Sequence, residues 1–231
     1  MNTLKQHKLF LLGSDNAVDA LAKKECATIL AISDSHGQTD ILKAILKRFA
    51  PQVDALAFCG DGVEDLVSIL NSLDSNYDFR ENFPSVIAAV HGNGDESSIH
   101  VDFQPSDDPS VHEIKVPAAI SFFAANTNIL VTHGHMFGVY YGTAGLENHA
   151  KETNSKVILF GHSHIADIIE ENGFTLINPG SCSSPRQGLP PSFAVLKIFQ
   201  NNPVECTFYE IKVSLSEGIN FVPFSPRMRR W

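Results

Sequence analysis

Five short polar clusters punctuate this 231-residue chain: Asp34-Ser35-His36, Gly60-Asp61, Gly92-Asn93-Gly94-Asp95, His133-Gly134-His135 and Gly161-His162-Ser163-His164. Of the ten histidines, five fall inside these clusters and His91 adjoins one. Carboxylate, imidazole and carboxamide are hard-to-intermediate donors that suit Mn²⁺, Fe²⁺, Zn²⁺ or Co²⁺; without thiolates they disfavour copper or an iron–sulfur cluster. The donors exceed what one ion needs, whereas two ions about 3.5–4 Å apart would use them. Two cations that close repel, so an anionic bridge is required, and an aspartate at a strand end is its natural supplier. A lone Asp-x-His reads as a hydrogen-bonded turn. Five clusters at five strand exits do not.

The elements that must position them are legible in the apolar pattern. ATILAIS (27 to 33) is a nearly continuous apolar run of the kind buried in a parallel sheet, and it runs into the first cluster. Ile41, Leu42, Ile45, Leu46 and Phe49 then share one helical face, closed before Pro51. VDALAFC (53 to 59) runs into Gly60-Asp61, and Val63, Leu66, Val67 and Leu70 repeat at helical spacing. VIAAV (86 to 90), NILVT and KVILF each lead into a further cluster, with AAISFFAA before them and a helix expected over 143 to 150. DIIEENGFTLIN reads as a hairpin about Asn172-Gly173, and SFAVLKIF and ECTFYEIKV as antiparallel strands joined at Asn201-Asn202. Strand–helix alternation followed by hairpins implies one α/β domain with two layers of sheet and helices outside. Polar clusters at strand C-termini are where open α/β sheets place their sites.

Composition narrows the function classes. A formal charge of −9 and a pI near 5.5 disfavour stable binding to duplex nucleic acid through broad electrostatics, although bound cations would reverse the local field. Cys26, Cys59, Cys182 and Cys206 lack zinc-knuckle spacing, and Cys59 reads as a small core residue. The N-terminus shows neither a signal-peptide pattern nor the roughly 20 apolar residues of a membrane span, so a cytoplasmic protein without a membrane partner is expected.

DSH, GD, GNGD, HGH and GHSH, in this order and at strand ends, resemble the calcineurin-like metallophosphoesterase superfamily. The similarity is closest to its small bacterial and archaeal phosphodiesterase branch, which also holds the metal-poor retromer subunit as a scaffold relative. Asn178-Pro179-Gly180-Ser181, followed by Pro185-Arg186, matches the same branch. The resemblance spans roughly 27 to 210. It implies a single metallophosphoesterase domain over 1–231, core about 27–215, with an N-terminal extension (1–25) and an insertion (about 96–116). That insertion, with Pro105, Asp107, Asp108, Pro109 and Pro117, is expected to be a loop. The implied fold is α/β, a four-layer α/β/β/α sandwich with two central mixed sheets.

By the same resemblance, Asp34, His36, Asp61 and His164 would hold a first divalent ion. Asp61, Asn93, His133 and His162 would hold a second, with Asp61 bridging. Asp95 would support the site from behind by orienting a histidine. Two ions, Mn²⁺ foremost with Fe, Zn, Ni or Co accepted, would turn water into a nucleophile and neutralise charge on the phosphoryl group, with in-line attack and no covalent enzyme intermediate. The implied activity is hydrolysis of phosphoesters, diesters foremost, on a small phosphoester or nucleotide-like substrate. A phosphomonoesterase and a non-catalytic interaction scaffold are the alternatives, and a homo-oligomer is compatible with either. One position departs from the pattern: larger superfamily members carry a histidine where this chain has Gly94, and that histidine is thought to protonate the leaving group. His135 or water would have to serve here, so modest activity on unactivated esters is expected.

Four further features are weighed on their own chemistry. Asp65 reads as a helix-surface or first-turn charge rather than a ligand. Asn178 and Ser181 read as loop-shaping residues near the site. Arg186 is a candidate for substrate phosphate, although an arginine in a Pro-rich loop is more often solvated. PFSPRMRRW at the C-terminus reads as a cap on the fold before an anion site.

Overall fold

Alternating side-chain size along the first three strands decides how the layers stack. A computed structural model describes residues 4–101, 112–200 and 203–226. In it β1 (Cys26–Ile32), β2 (Ala55–Phe58) and β3 (Val86–Ala89) run parallel, with Leu30 beside Leu56 and Leu56 beside Ile87. Successive side chains point to opposite faces of a sheet. One face therefore carries the small set Ala27, Ala31, Ala55, Ala57 and Ala88, with Ile29 and Val86. The other carries Leu30, Ile32, Leu56, Phe58 and Ile87, packed under the helices α2 (Thr39–Phe49) and α3 (Val63–Ser72). The small face lets a second sheet approach.

The first sheet has the order β13-β12-β11-β1-β2-β3, where β11 (Ser192–Phe199), β12 (Glu205–Ser214) and β13 (Gly218–Phe224) add antiparallel strands beside β1. The second is built from β6 (Ala119–Ala124), β7 (Thr127–Thr132), β8 (Val157–Leu159), β9 (Asp167–Glu171) and β10 (Phe174–Asn178), in the order β6-β7-β8-β10-β9. Its centre is parallel and its two edges are antiparallel hairpins. Phe122, Ile129, Val131, Leu159 and Ile177 face the alanine-rich side of the first sheet. On the outer side, Leu146 and Ala150 of α5 (Ala144–Glu152) cover Leu130, Ile158 and Leu176. The result is the expected four-layer α/β/β/α sandwich with two mixed sheets. Asn172 and Gly173, at φ 52° and 80°, make the β9–β10 turn as the Asn-Gly pair foretells.

Two segments differ from expectation, and the N-terminal extension, read as an addition within the single domain, packs into it. Ser14 caps α1 (Asp15–Lys23) by accepting from the Ala17 amide at 3.2 Å, and Val18 and Leu21 bury in the core between the sheets. Leu12 exchanges backbone hydrogen bonds with Ile87 at 2.8 and 2.9 Å, so this segment closes the edge beside β3. The 96–116 segment is no simple loop: β4 (Ser98–Val101) and β5 (His112–Lys115) pair as an antiparallel ribbon, and Val101, Ile114 and Val116 bury beside α3. At the other end β13 carries the sheet past residue 215. Pro105, Asp107, Asp108, Pro109, the Asn201-Asn202 junction and residues 227–231 of the C-terminal stretch lie outside the described residues. Among the described residues no helix is long and apolar enough to cross a membrane.

Candidate metal centre

All five clusters meet at one rim, above the C-terminal ends of β1, β2, β3, β7 and β8. Two groups of ligating atoms form there, Asp34 with His36 and His164, and Asp34 with Asp61 and His133, each within 4.8 Å of one another. Asp34 Oδ1 lies 3.2 Å from His164 Nε2, 3.8 Å from His36 Nε2 and 4.0 Å from His133 Nε2. Asp61 Oδ2 faces both groups, 3.4 Å from His133 Nε2 and 3.9 Å from His36 Nε2. His162 joins through Nδ1, 3.2 Å from His133 Nε2. Sequence neighbours His162 and His164 thus point to different sides of the centre.

Backbone conformation makes this possible and is costly. Asp34, His36, Asp61, His162 and His164 all adopt left-handed conformations, with φ of 56°, 44°, 52°, 66° and 59°. For residues other than glycine each costs of order 1–3 kcal/mol and persists only when surrounding structure over-determines it. Two glycines supply the necessary space. A Cβ at Gly161 would meet Ser33 Oγ at 1.9 Å and Asp34 Oδ2 at 2.8 Å; at Gly92 it would meet Asp61 Oδ1 at 2.0 Å.

A shell of polar contacts holds the ligands in place. His133 Nδ1 donates to the Cys59 carbonyl (2.7 Å) and His164 Nδ1 to the Ser184 carbonyl (2.6 Å), so in the neutral form of either ring Nε2 is the acceptor aimed at the centre. Asn178 donates to the Gly161 carbonyl and Ser163 Oγ, and Ser181 Oγ to the Asp34 carbonyl, as the loop-shaping expectation requires. Asp95 departs from expectation. Its carboxylate accepts four amides, from Asp61 (2.6 Å), Gly62 (2.8 Å), Val63 (3.0 Å) and Gly92 (2.8 Å), so it organises the β2 and β3 loops instead of orienting a histidine. The Gly-rich turns leave these amides unpaired within secondary structure, and a carboxylate satisfies them all.

Asp65 is the residue whose importance the sequence hid. Expected as a helix-surface or first-turn charge, it does sit in the first turn of α3 but is only 5% exposed, and it accepts from Ser35 Oγ (2.6 Å), the Gly37 amide (2.9 Å) and Thr39 Oγ1 (2.5 Å). It therefore pins the loop carrying Asp34 and His36 to the start of α3. The available signal was the apolar Leu66 and Ile69 flanking it on the buried face.

Electrostatics point one way. Burial opposes ionisation of Asp61, but the His133 hydrogen bond, the Gly94 amide and the charges of His133 and His36 outweigh it and hold its pKa well below the usual carboxylate range. The Asp34 carboxylate, its Oδ1 3.2 Å from Nε2, raises His164 despite burial. Burial lowers His133, yet Asp61 and Asp34 together more than reverse this. Burial first, then the charge of Asp34, pushes the Cys59 and Cys182 thiols upward, so both stay protonated and unsuited to ligation. Asp34 Oδ1, fully buried, has no hydrogen-bond partner among the described residues. A buried carboxylate oxygen without a donor, ringed by imidazole acceptors, is costly unless a cation sits among them. The donor set fits divalent metal.

The remaining candidates sit at the rim. Asn93 is exposed beside Gly94, and its side chain makes no hydrogen bond among the described residues. His135 lies among His91, His133 and His162, with ring centroids 5.9, 5.4 and 6.1 Å away, and its Nδ1 is buried without a hydrogen-bond partner among the described residues. Burial, then the charges of His133 and His91, lowers its pKa. Arg186 is exposed yet held: its Nη1 donates to the Tyr140 hydroxyl (2.5 Å), which donates in turn to the His162 carbonyl (3.0 Å). Tyr140 carried no signal in the sequence; only the folded loop brings it to His162.

Known proteins agree with this geometry. The calcineurin-like phosphoesterase superfamily domain matches residues 28–201. The probable metallophosphoesterase YsnB of Bacillus subtilis (strain 168) is 32% identical over 182 residues, 79% of this chain and 90% of that protein. The phosphodiesterase YfcE of Escherichia coli (strain K12) is 32% identical over 68 residues, 29% of this chain and 33% of YfcE. In fold, the chain is similar to Vacuolar Protein Sorting 29 from Cryptosporidium parvum, with a TM-score of 0.58 at 18% identity over 87% of this chain and 100% of that one. A domain match across most of the chain, with a relative 32% identical over 79% of it, places this protein in the calcineurin-like phosphoesterase superfamily.

Proposed function

We propose that this protein hydrolyses phosphoesters, diesters foremost, with two divalent ions held at the strand-end rim. The observation that carries the reading is the orphaned Asp34 Oδ1, buried between two groups of ligating atoms that share it. Asp34, His36, Asp61 and His164 would hold one ion; Asp61, Asn93, His133 and His162 would hold the other, with Asp61 facing both. When bound, the ions supply Lewis-acid activation of water and charge neutralisation at the phosphoryl oxygens. Mn²⁺ leads, and the oxygen and nitrogen donors accept Fe, Zn, Ni or Co as well.

The chain's own groups divide the remaining work. Asn93 and Arg186 offer donors to the phosphoryl group from the open side, and a guanidinium suits its oxygens. Asp95 keeps the backbone around Asp61 in register. His135 is within reach of the centre, but a lowered pKa keeps it neutral, and bound cations act in the same direction. A neutral imidazole does not lead as a proton donor. The leaving-group proton then falls to solvent, and esters with acidic leaving groups react fastest.

Metal-stripped protein reconstituted with Mn²⁺ is expected to hydrolyse bis(p-nitrophenyl) phosphate faster than p-nitrophenyl phosphate, and His162→Ala is expected to abolish both. Calorimetric titration should count two ions per chain. Absence of hydrolysis with every one of Mn²⁺, Co²⁺, Ni²⁺, Fe²⁺ and Zn²⁺ sinks the enzymatic reading and leaves the scaffold alternative. A reversed preference makes the protein a phosphomonoesterase.

A further inference from the structure

An apolar cleft opens beside the metal centre on the side of His162. Its volume is about 220 Å³, and Val139, Tyr140, Leu146, Phe160, Ile165 and Ile169 form most of its wall. Pockets for drug-sized ligands run to about 300–1,000 Å³. This one has room for a single ring system. It joins the centre directly: Ser163, between the two ligating histidines, lines it, and the Tyr140 ring lies against His162 with centroids 4.9 Å apart.

Three properties identify the occupant. Aromatic surface is left open at the mouth, where Tyr140 is 52% and Tyr141 97% exposed, although side chains of this size bury well elsewhere in the fold. The apolar wall is edged on one side by the polar residues Thr143, Asp167 and Gln187, a border that a ring with polar atoms on its rim tolerates better than a bare phenyl does. Arg186 stands at the junction between cleft and centre, with its guanidinium carbon 5.9 Å from the Tyr140 ring centroid, and among the described residues no carboxylate pairs with it.

We infer that this cleft seats a nucleobase, so that the preferred phosphoester is a nucleotide whose base rests among Tyr140, Tyr141 and Ile169 while Arg186 and the metal centre take its phosphate. The inference rests on the phosphoesterase reading and adds the substrate class to it. Stacking supplies the affinity and the polar edge supplies orientation, while Arg186, tied to His162 through Tyr140, links occupancy of the cleft to the reacting end.

The test compares ligands with the same phosphate. Equilibrium binding of adenosine 5′-monophosphate and of ribose 5-phosphate to Mn²⁺-loaded protein should differ by about tenfold or more, the range of base–aromatic stacking. Ile169→Trp, which fills the cleft, should bring the ratio close to one. Tyr141→Ala should lower it several-fold, and at so exposed a position it keeps the test valid even where the tryptophan variant does not fold. Equal binding of the two ligands by the wild-type protein, alongside measurable diester hydrolysis, overturns the cleft assignment alone. Failure of hydrolysis with every metal overturns the underlying reading and this inference with it. Guanosine, cytidine and uridine monophosphates then rank the bases that the polar edge selects.

Discussion

The interior between the two sheets and the rim above it obey opposite rules. In the interior every local choice agrees: Ala55 and Ala57 face the second sheet while Leu56 and Phe58 face the helices, and Phe122, Leu159 and Ile177 fill the space between. At the rim, a few residues further along the same strands, five candidate ligands adopt left-handed backbone, buried carboxylates gather, and one of their oxygens has no donor among the described residues. Consistency across levels is what makes a sequence fold, and functional sites are where it is broken. The strands carry the cost. Anchored on both faces, they hold loops in conformations those loops would not adopt alone.

This contrast is open to direct attack. Phe122→Ala, deep in the interior, should cost about 3–5 kcal/mol and show as a lower denaturation midpoint. A smaller loss would mean that the interior is less tightly packed than its burial indicates. Metal removal is the next test. Mn²⁺ at about 100 times its Kd should raise stability by about 2.7 kcal/mol for each ion bound, read as an upward shift in Tm. No shift would separate the orphaned Asp34 oxygen from metal binding. Asp65→Asn should lower metal affinity about 10- to 100-fold, the usual scale for groups that orient ligands, with little change in the Tm of metal-free protein. A large Tm loss with unaltered affinity would instead make Asp65 part of the interior. Smallest is Lys24→Ala, which breaks the 2.7 Å pair with Asp54, remote from the rim. It should cost under about 1 kcal/mol and leave hydrolysis untouched.

Most of the architecture was legible, because buried parallel strands read as apolar runs and each ran into a chemically loaded turn. What was missed has physical reasons. Strand β13 is half exposed, so Gly-Ile-Asn-Phe-Val-Pro-Phe shows no buried run, and its Pro223 argues against a strand until the edge position is known. Helix α1 is short, and its stability comes from Val18 and Leu21 docking at the edge of the sheets, a contact no local pattern announces. The 96–116 segment looks like a loop because its apolar residues, Ile99, Val101, Ile114 and Val116, sit at the ends of a polar stretch.

At the site the division is sharper. The candidate ligands were legible in the sequence, since Asp, Asn and His at strand ends have few other reasons to recur in that order. Asp95 and Asp65 look alike on paper, each a carboxylate a few residues past a glycine. Only the folded loops reveal that one gathers four amides and the other ties the first turn to α3. The sequence by itself determined which donors exist and at which strand ends they emerge, because residue type and periodicity are local properties. Which candidate donors come together, which carboxylate oxygen is left without a partner among the described residues, and that Tyr140, holding Arg186, lines a cleft beside His162 were decided by tertiary structure alone. Those facts depend on distances between segments far apart in the chain, and only the packing of the two sheets sets them.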